Sequence, residues 1–280
     1  MTWGGSWWGR GHSDRRRGRH AVSSAFPSLL WSRPGTIDGV EARGETEPRF
    51  VIREGYAFYR GPSTDNASHG HGAFQVAIAV QGEVAMVDGS GNHHRAVALV
   101  VPPMVRHRML ATPHLRTFFV EPHCAFADRL RDRCDHGITA APELHDLSED
   151  DVRPAGTRPS SGLDTRLVEA MSTLADRRVP MPALAATVGL SPQRLRALAQ
   201  RQLGIPLPRW RIWQRLVRAV EALREGQPLA GAAITGGFAD QAHFNRQMRE
   251  MLGMTPSAVL PVLRGSAATR DVDRDRSADR

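Results

Sequence analysis

Hydrophobic residues recur with two different spacings along the chain. Between residues 50 and 122 they form short apolar runs separated by glycine-containing turns. Many short strands at close spacing favour a jelly roll or barrel. From residue 182 onward apolar residues recur every three or four positions, which predicts helices. The predicted strands cover residues 75–80, 84–87, 97–101 and 116–120.

The segment from residue 182 to residue 204 has the pattern of a helix-turn-helix. Its first helix places its apolar residues on one face, and Gly189 supplies a tight turn. Ser191 then caps a second helix, with Pro192 in the first helical position. Gly204 ends this helix, where a left-handed backbone is favoured. Two helices joined by a short turn, the second one capped, are typical of this motif. The predicted buried positions are Leu184, Ala185, Val188, Leu195, Leu198 and Leu203.

The same pattern returns further along the chain. A short helix over residues 228–235 is followed by the turn Gly236-Gly237, and Asp240 can cap the helix after it. Phe244, Met248 and Leu252 are predicted to be buried, and Gly253 closes the helix. The turn glycines Gly189 and Gly237 lie 48 residues apart, which indicates a repeat.

A helix predicted over residues 208–224 joins the two units. Its 17 residues span roughly 25 Å at about 1.5 Å each. With the width of the flanking units, two recognition helices would lie about 34 Å apart, which is one turn of B-DNA. Residues 164–260 contain 13 Arg against 7 Asp and Glu, within a chain of net charge +8 that has no lysine. A basic surface of this kind suits an acidic partner such as DNA.

Three motifs resemble the AraC-type family of transcription regulators. They are Gly-Leu-Ser-Pro-Gln-Arg-Leu at 189–195, Gly-Phe-Ala-Asp-Gln-Ala-His-Phe-Asn-Arg at 237–246 and Gly-Met-Thr-Pro-Ser at 253–257. The resemblance covers about 95 residues, roughly 166–260. It implies that residues of the two second helices face bases or phosphates: Gln193, Arg194 and Arg196 in the first unit, and Gln241, His243, Asn245 and Arg246 in the second. Arg201 and Arg249 also lie on these outer faces, as solvated, phosphate-contacting or base-reading groups.

The chain departs from the family pattern in both units: in the first, Ala197 and Ala199 stand where the family has an arginine and a core aromatic residue. In the second, Ala232 and Gly236 stand where the family packs an isoleucine and a valine. A glycine in a helix costs about 1 kcal/mol relative to alanine, and both Gly231 and Gly236 fall near this helix. The second unit is therefore expected to be less well packed than the first.

Histidines in the strand region resemble the cupin metal motif. His69 and His71 alternate along the chain, Gln75 stands where the motif has a carboxylate, and His107 follows later, with Met104 at a motif glycine. Alternate residues of a strand face the same side, so these side chains are expected to meet inside the barrel. Three imidazoles and an amide would suit a divalent ion such as Zn, Ni, Fe or Mn. The alternative is a pocket for a small organic effector, lined by the same residues.

Other segments complete the expected organisation. Cys124 and Cys134 suit neither a disulfide framework nor a zinc knuckle. A helix from residue 125 to residue 135, with Leu130 inward, is expected to follow the barrel, and similar regulators often use such a helix to form a homodimer. A Pro-, Gly- and Ser-rich linker is expected over residues 154–162. His93 and His94 are expected in a surface turn.

The predicted fold class is α+β, with a cupin-like β-barrel followed by an all-α domain of two helix-turn-helix units joined by a linker helix. The expected parts are a basic disordered extension over 1–45, the barrel over 46–123, a helix and linker over 124–163, the DNA-binding domain over 164–262 and a disordered tail over 263–280. The run Arg15-Arg16-Arg17 resembles the start of a twin-arginine export signal, but the residues after it are too polar to form the apolar region of such a signal. Without a run of about 18 apolar residues, we expect a cytoplasmic protein that does not bind membranes.

The leading functional hypothesis is a sequence-specific transcription regulator that is not itself an enzyme. Its expected partners are double-stranded promoter DNA, a small-molecule or metal effector, and RNA polymerase if it activates. The first alternative is a cupin metalloenzyme with an attached DNA-binding domain, which a carboxylate in place of Gln75 would have favoured. The second is an architectural DNA binder, which would bind any duplex equally well at fixed salt.

Overall fold

A computed structural model describes residues 48–134, 137–176 and 178–263. Its strands form a six-stranded sheet with the order β1-β2-β8-β3-β6-β9 and a three-stranded sheet with the order β5-β4-β7. Neighbouring strands in both sheets are antiparallel. The strands are β1 (Arg49–Arg53), β2 (Tyr56–Ser63), β3 (Phe74–Ala79), β4 (Val84–Asp88), β5 (His93–Ala96), β6 (Ala98–Val101), β7 (His107–Met109), β8 (Thr112–Val120) and β9 (Thr139–Ala140).

Helices follow the sheets and fill the rest of the described chain. They are α1 (Ala125–Arg131), α2 (Glu149–Gly156), α3 (Thr165–Asp176), α4 (Met181–Thr187), α5 (Pro192–Leu203), α6 (Leu207–Arg224), α7 (Leu229–Thr235), α8 (Gln241–Leu252) and α9 over residues 256–263. The predicted α+β class is therefore confirmed at the level of a sheet-rich part followed by a helical part. Both parts belong to one compact unit.

The large sheet is buried on both faces because its strands alternate between two different cores. On one face Val76, Ile78 and Phe118 pack against Phe126 and other residues of α1 and α2. On the opposite face, Ala77 and Leu99 pack against Val84 and Met86 of the small sheet. This second face is the inner face, and only part of it is covered by the small sheet.

The prediction of a closed barrel is wrong for the described strands. They form two separate sheets, because helices of the C-terminal part take the place of further strands over the inner face. Phe50, Ile52 and Phe119 share one core with Trp213 and Met251. The sheet part and the helical part therefore have a common hydrophobic core.

Smaller predictions also need correction. His93 and His94 lie in strand β5, paired with β4, and not in a turn; the turn is formed by the residues between these strands. Pro154, expected to begin a linker, lies inside α2. Leu130 is buried in α1 as predicted, and that helix ends at Arg131. The extensions over 1–45 and 263–280 lie outside the described residues, apart from Leu263. No helix in the described part of the chain is long and apolar enough to cross a membrane.

Local sequence signals define the helices of the C-terminal part. Ser191 accepts a hydrogen bond from the backbone N–H of Arg194 at 3.2 Å, and Asp240 accepts one from that of His243 at 2.6 Å. These are the N-caps predicted from the sequence. Gly204 and Gly253 both end their helices with a φ of 71°, the left-handed backbone that glycine adopts without strain.

Candidate functional site

Two matching helix pairs form the first candidate surface. We call α4 and α5 the first helix pair and α7 and α8 the second. In each pair a glycine with positive φ makes the turn, and a large apolar residue packs behind it: partly buried Leu190 after Gly189, and buried Phe238 after Gly237. The second helices bury the predicted residues, among them Leu195 and Phe244. Each second helix therefore turns its opposite face outward in a fixed orientation.

The predicted DNA-binding residues lie mainly on these outward faces. In α5, all four of them are exposed: Gln193, Arg194, Arg196 and Arg201. In α8, Gln241 and Arg246 are exposed, whereas His243 and Asn245 are half-buried. The ring of His243 packs edge-on to Phe238, and the Oδ1 atom of Asn245 is shielded from solvent. Exposure thus favours Gln241 and Arg246 over the other two residues of α8.

An arginine cluster on α6 links the two helix pairs. Arg211, Arg215 and Arg218 follow one another at helical spacing, and Arg178 precedes α4. Burial and the positive charge of the neighbouring arginines lower the pKa of both Arg211 and Arg215. Arg215 also donates hydrogen bonds to the carbonyl oxygens of Gly236 and Gly237, which make the turn before α8. The cluster is a concentrated positive charge beside the second helix pair.

The glycine at the end of α7 tightens the second pair and does not loosen it. A Cβ atom at Gly236 would lie 2.7 Å from the Cβ of Ala219 and 2.8 Å from the carbonyl oxygen of Arg215. Only glycine allows α7 to approach α6 this closely. The expectation that Gly236 leaves this unit poorly packed is therefore wrong.

A polar cluster on the inner face of the large sheet is the second candidate site. It contains His69, His71, Gln75 and His107, the four residues singled out in the sequence. His69 and His107 pair through two backbone hydrogen bonds of 2.9 Å, which bring their rings to 4.6 Å between centroids. Gln75 points inward from β3 beside Thr117 of β8 and donates a hydrogen bond to its hydroxyl at 3.2 Å. His71, Gln75 and His107 are buried, and His69 is half-buried.

The three imidazole rings are held in the same way. In each ring Nδ1 lies 2.8 to 3.1 Å from a backbone carbonyl oxygen, that of Ala67, Ala73 or Val105. Burial and the neighbouring histidines lower the pKa of His71 well below its ordinary value and that of His107 to about 4. Near neutral pH each of these two rings is therefore neutral and carries one N–H, which the carbonyl oxygen accepts from Nδ1.

This tautomer leaves the Nε2 lone pairs directed into the cluster. The Nε2 atoms of His71 and His107 each lie 3.0 Å from the same oxygen, Oε1 of Gln75, which donates no hydrogen bond. In this orientation of the Gln75 amide three acceptor atoms face one another, an arrangement that a cation among them would stabilise. The histidine ligand atoms all lie within 4.8 Å of one another. Histidines that bind metals commonly donate their other ring N–H to a backbone carbonyl, so this donor set fits a divalent ion.

A cavity of about 260 Å³ opens beside the cluster. Its walls come from both parts of the molecule: His69, Gln75 and Thr117 on the sheet side, and Gly253 and Thr255 on the helical side. This space suits a small molecule more than a large ligand. A molecule in it would contact both the polar cluster and the end of α8.

Glu121 is a buried carboxylate that sequence analysis missed. It accepts hydrogen bonds from the backbone N–H of Gly55 at 3.0 Å, from Trp210 at 3.1 Å and from Gln214 at 3.2 Å. His123 lies 3.2 Å away. Burial lowers the pKa of His123, but the charge of Glu121, its contact with the ring and the charge of Glu54 together outweigh this effect, so the pKa is raised above the ordinary value. An acidic residue at the end of an apolar strand was the available signal, yet its partners on α6 are about 90 residues away in the sequence.

Comparison with known proteins bears on the helical part. A family model described as a helix-turn-helix domain matches residues 184–260. The arabinose operon regulatory protein of Escherichia coli is 36% identical over 100 residues, which are 34% of this chain and 34% of that protein. The protein of the same name from Salmonella typhimurium is 38% identical over 85 residues, 30% of each chain. The chain thus matches about a third of the length of these relatives.

Solved structures include ToxT from Vibrio cholerae O395, with 10% identity, a TM-score of 0.49 and coverage of 76% of this chain and 100% of that chain. An AraC-type DNA-binding domain-containing regulator from Chromobacterium violaceum has 24% identity, a TM-score of 0.33 and coverage of 37% and 93%. Both TM-scores are below 0.5. Residues 184–260 match a helix-turn-helix domain, and the helical part of the chain is similar in sequence to the arabinose operon regulatory proteins.

Proposed function

We propose that this protein is a sequence-specific DNA-binding transcription regulator, in which α5 and α8 read two successive major grooves of promoter DNA. The observation that carries the proposal is the pair of capped helices, each with an exposed Arg- and Gln-containing face, within a matched helix-turn-helix domain. Arg194, Arg196, Gln241 and Arg246 are the proposed base readers. Arginine and glutamine suit this role because their side chains can make paired hydrogen bonds to guanine and adenine edges.

The arginine cluster supplies the sequence-independent part of the proposed binding. Arg178, Arg211 and Arg218 would contact phosphates between the two grooves, where neutralising them releases counterions. Arg215 is already engaged with the carbonyl oxygens of the turn, so its proposed role is to hold the turn before α8. We place this activity in the cytoplasm, with RNA polymerase as a partner if the protein activates transcription and with a homodimer through α1 as the arrangement to test.

Selection of duplexes from a random-sequence pool by the full chain tests the DNA-reading proposal. The affinity for a selected duplex and for its scrambled sequence is then measured by fluorescence anisotropy at the same salt concentration. Specific readers bind their sites at least about 10³ times more tightly than unrelated DNA. If the pool yields no preferred sequence and both duplexes bind equally, the protein is an architectural DNA binder.

We further propose that the sheet part senses a divalent metal at His69, His71 and His107, with Gln75 as an oxygen ligand. The three Nδ1–H groups on backbone carbonyls and the converging Nε2 atoms favour this reading over a purely structural cluster. An ion held there would join β3, β7 and the segment before β3. Zn, Ni, Fe and Mn are the candidates for a site of nitrogen and oxygen donors. The neighbouring cavity makes a small organic effector the second candidate.

Calorimetric titration of the full chain with Zn²⁺ tests the metal proposal. One equivalent per chain should bind, and His107→Ala should abolish this binding. His94→Ala is the matched control, because His94 lies on β5 beside Asp88 and outside the cluster. If Zn²⁺ binds equally well to His107→Ala, or does not bind to the wild-type chain, the cluster is not a metal site.

A further inference from the structure

We propose that the segment His69–Gly72 couples the polar cluster to α8, so that metal binding in the sheet part and DNA binding by the second helix pair change each other's affinity. This inference rests on the proposed function, because it needs both a metal site and a DNA-reading helix. It adds a defined physical connection between them. The connection is short because the C-terminal end of α8 packs against the same segment that carries two of the proposed metal ligands, His69 and His71.

The segment packs directly on the C-terminal end of α8. A Cβ atom added at Gly253, the residue that ends α8, would lie only 2.9 Å from Nε2 of His69. A Cβ atom added at Gly72 would lie 3.0 Å from Cε of Met251, which is in the last turn of α8. At Gly253 an added side chain would clash with the His69 ring, whereas at Gly72 the flexible end of Met251 would have to move by a few tenths of an ångström. The proposed ligand atom of His69 is itself part of this contact.

Arg209 fastens the segment to the same end of α8. Its Nη2 atom donates a hydrogen bond of 2.7 Å to the carbonyl oxygen of Gly70, between the two histidines. Its Nη1 atom forms an ion pair of 2.5 Å with Glu250 of α8. The Arg209 side chain is only 14% exposed, whereas that of Glu250 is 48% exposed, so water partly screens the ion pair and reaches the buried hydrogen bond to Gly70 less. A shift of the backbone at Gly70 is thus transmitted to α8 through one side chain as well as through packing.

A shared ion would fix the positions of the histidine rings relative to one another. Two ligand atoms that each lie about 2.0–2.1 Å from one ion are at most about 4.2 Å apart. The ligand atoms of the cluster already lie within 4.8 Å of one another, so binding requires only small adjustments of the rings. His71 and His107 are fully buried, whereas His69 is half-buried and borders the cavity. His69 is therefore the ring with room to move, and its movement changes the contact with Gly253.

Coupling between two binding sites is reciprocal. If a metal ion changes the affinity of the chain for DNA by some factor, DNA must change the affinity for that metal by the same factor. Typical couplings are about 5- to 150-fold. Because the contact between the segment and α8 is direct, we expect a change of at least about fivefold in both measurements.

The test measures both affinities on the full chain. The duplex is one selected from a random-sequence pool by the chain itself, and its affinity is measured by fluorescence anisotropy with Zn²⁺ and with the metal removed. Co²⁺ affinity is then measured from its visible absorption with and without the duplex, and the Zn²⁺ affinity by competition. Wild-type protein should give the same factor, at least about fivefold, for DNA and for Zn²⁺.

Arg209→Ala should reduce this factor toward 1, because it removes the bridge between Gly70 and Glu250. The DNA-free variant should still bind Zn²⁺, because the histidine rings and Gln75 remain in place. Glu250→Gln, which removes only the ion pair, should reduce the factor in part. Arg224→Gln is the matched control: it removes the α6 ion pair with Glu221, away from the segment, and should leave the factor at its wild-type value.

A factor of 1 in the wild-type chain, with both ligands bound, overturns the inference and leaves sequence-specific DNA binding and metal binding standing. An unchanged factor in Arg209→Ala overturns the role of the segment. Absence of Zn²⁺ binding overturns both the metal proposal and the coupling, whereas absence of a preferred duplex overturns the DNA-reading proposal itself.

Discussion

At the scale of single residues, two positions show what a glycine would contribute: Met104 has a backbone conformation that favours glycine, and Gly236 lies at a contact that only glycine allows. Met104 has a φ of 66°, a left-handed conformation that costs a residue with a Cβ about 1–2 kcal/mol. It stands at the position where the cupin motif that the histidines resemble has a glycine. Gly236 shows the reverse case, since its missing side chain allows close packing of α7 on α6.

Met104→Gly is expected to raise the free energy of unfolding by up to about 1 kcal/mol. Relief of the left-handed strain is partly offset by the greater flexibility of glycine in the unfolded chain, which costs about 0.4–1 kcal/mol. Urea unfolding measures the change. Val80→Gly is the control, because Val80 is similarly exposed and has no positive φ; it should be neutral or destabilising. A less stable Met104→Gly variant would contradict the prediction.

Gly236→Ala is expected to lower the free energy of unfolding by about 1–3 kcal/mol, the usual cost of forcing extra atoms into a packed contact. Gly231→Ala is the matched control on the same helix. Its added Cβ would lie no closer than 3.5 Å to its neighbours, so it should stabilise α7 by about 0.5–1 kcal/mol. Denaturation of both variants by urea separates the two effects. Equal changes in the two variants would rule out the close contact at Gly236.

At the scale of elements, the helices were predictable and the sheet was only partly so. The bounds of α5 and α8 follow from signals a few residues apart, namely the caps Ser191 and Asp240 and the closing glycines. Strand order depends on contacts that are distant in the sequence: β2 pairs with β8, and β3 lies between β8 and β6. The polar cluster could be listed from the sequence, but its bond pattern and its contact with α8 could not, because they depend on how the two parts pack together.

Arg246→Ala in α8 is expected to relax base specificity over one half-site. Loss of one paired arginine–guanine contact costs about 1–3 kcal/mol of discrimination. The measurement compares the affinity for the selected duplex with that for duplexes changed at single positions. Arg224→Ala, on α6 and paired with Glu221, should leave this comparison unchanged. Unaltered specificity in Arg246→Ala would show that another residue reads this half-site.

At the scale of the whole molecule, charge and burial join the two parts. The buried carboxylate of Glu121 accepts hydrogen bonds from α6, and the shared core holds β1 against the same helix. The positive charges of Arg211, Arg215 and Arg218 lie on the same helix. The molecule therefore joins its sheet part firmly to the helix that connects the two helix pairs.

Arg211→Ala and Arg218→Ala are expected to weaken binding to every duplex by a similar factor. Each lost phosphate contact should reduce the slope of log affinity against log salt concentration by about 1. Anisotropy titrations over a range of salt concentrations measure this slope for selected and scrambled duplexes. A loss confined to the selected duplex would assign these arginines to base reading.

The stability of the protein should depend on pH through His123. Its pKa is raised in the folded state, so its contribution is fully present below the unfolded value of about 6.5 and is lost as pH rises through the folded value. Glu121→Gln keeps an oxygen acceptor but removes the charge, so the decline in stability above about pH 6.5 should become smaller. Urea unfolding of the wild-type chain and of Glu121→Gln at a series of pH values measures this decline in the free energy of unfolding. An unchanged pH dependence in Glu121→Gln would show that the Glu121 charge does not stabilise protonated His123.

The shared core also limits how the sheet part or the helical part of this protein can be exchanged for a domain of another protein. Phe50, Ile52 and Phe119 cover Trp213 and Met251, so a cut between the parts would expose large apolar surfaces on both fragments. A chimera that joins these helices to a different N-terminal domain would inherit such a surface unless the new domain matched its shape. Exchange of the sheet part by domain grafting is therefore expected to require redesign of this face, and a change of linker alone would not suffice.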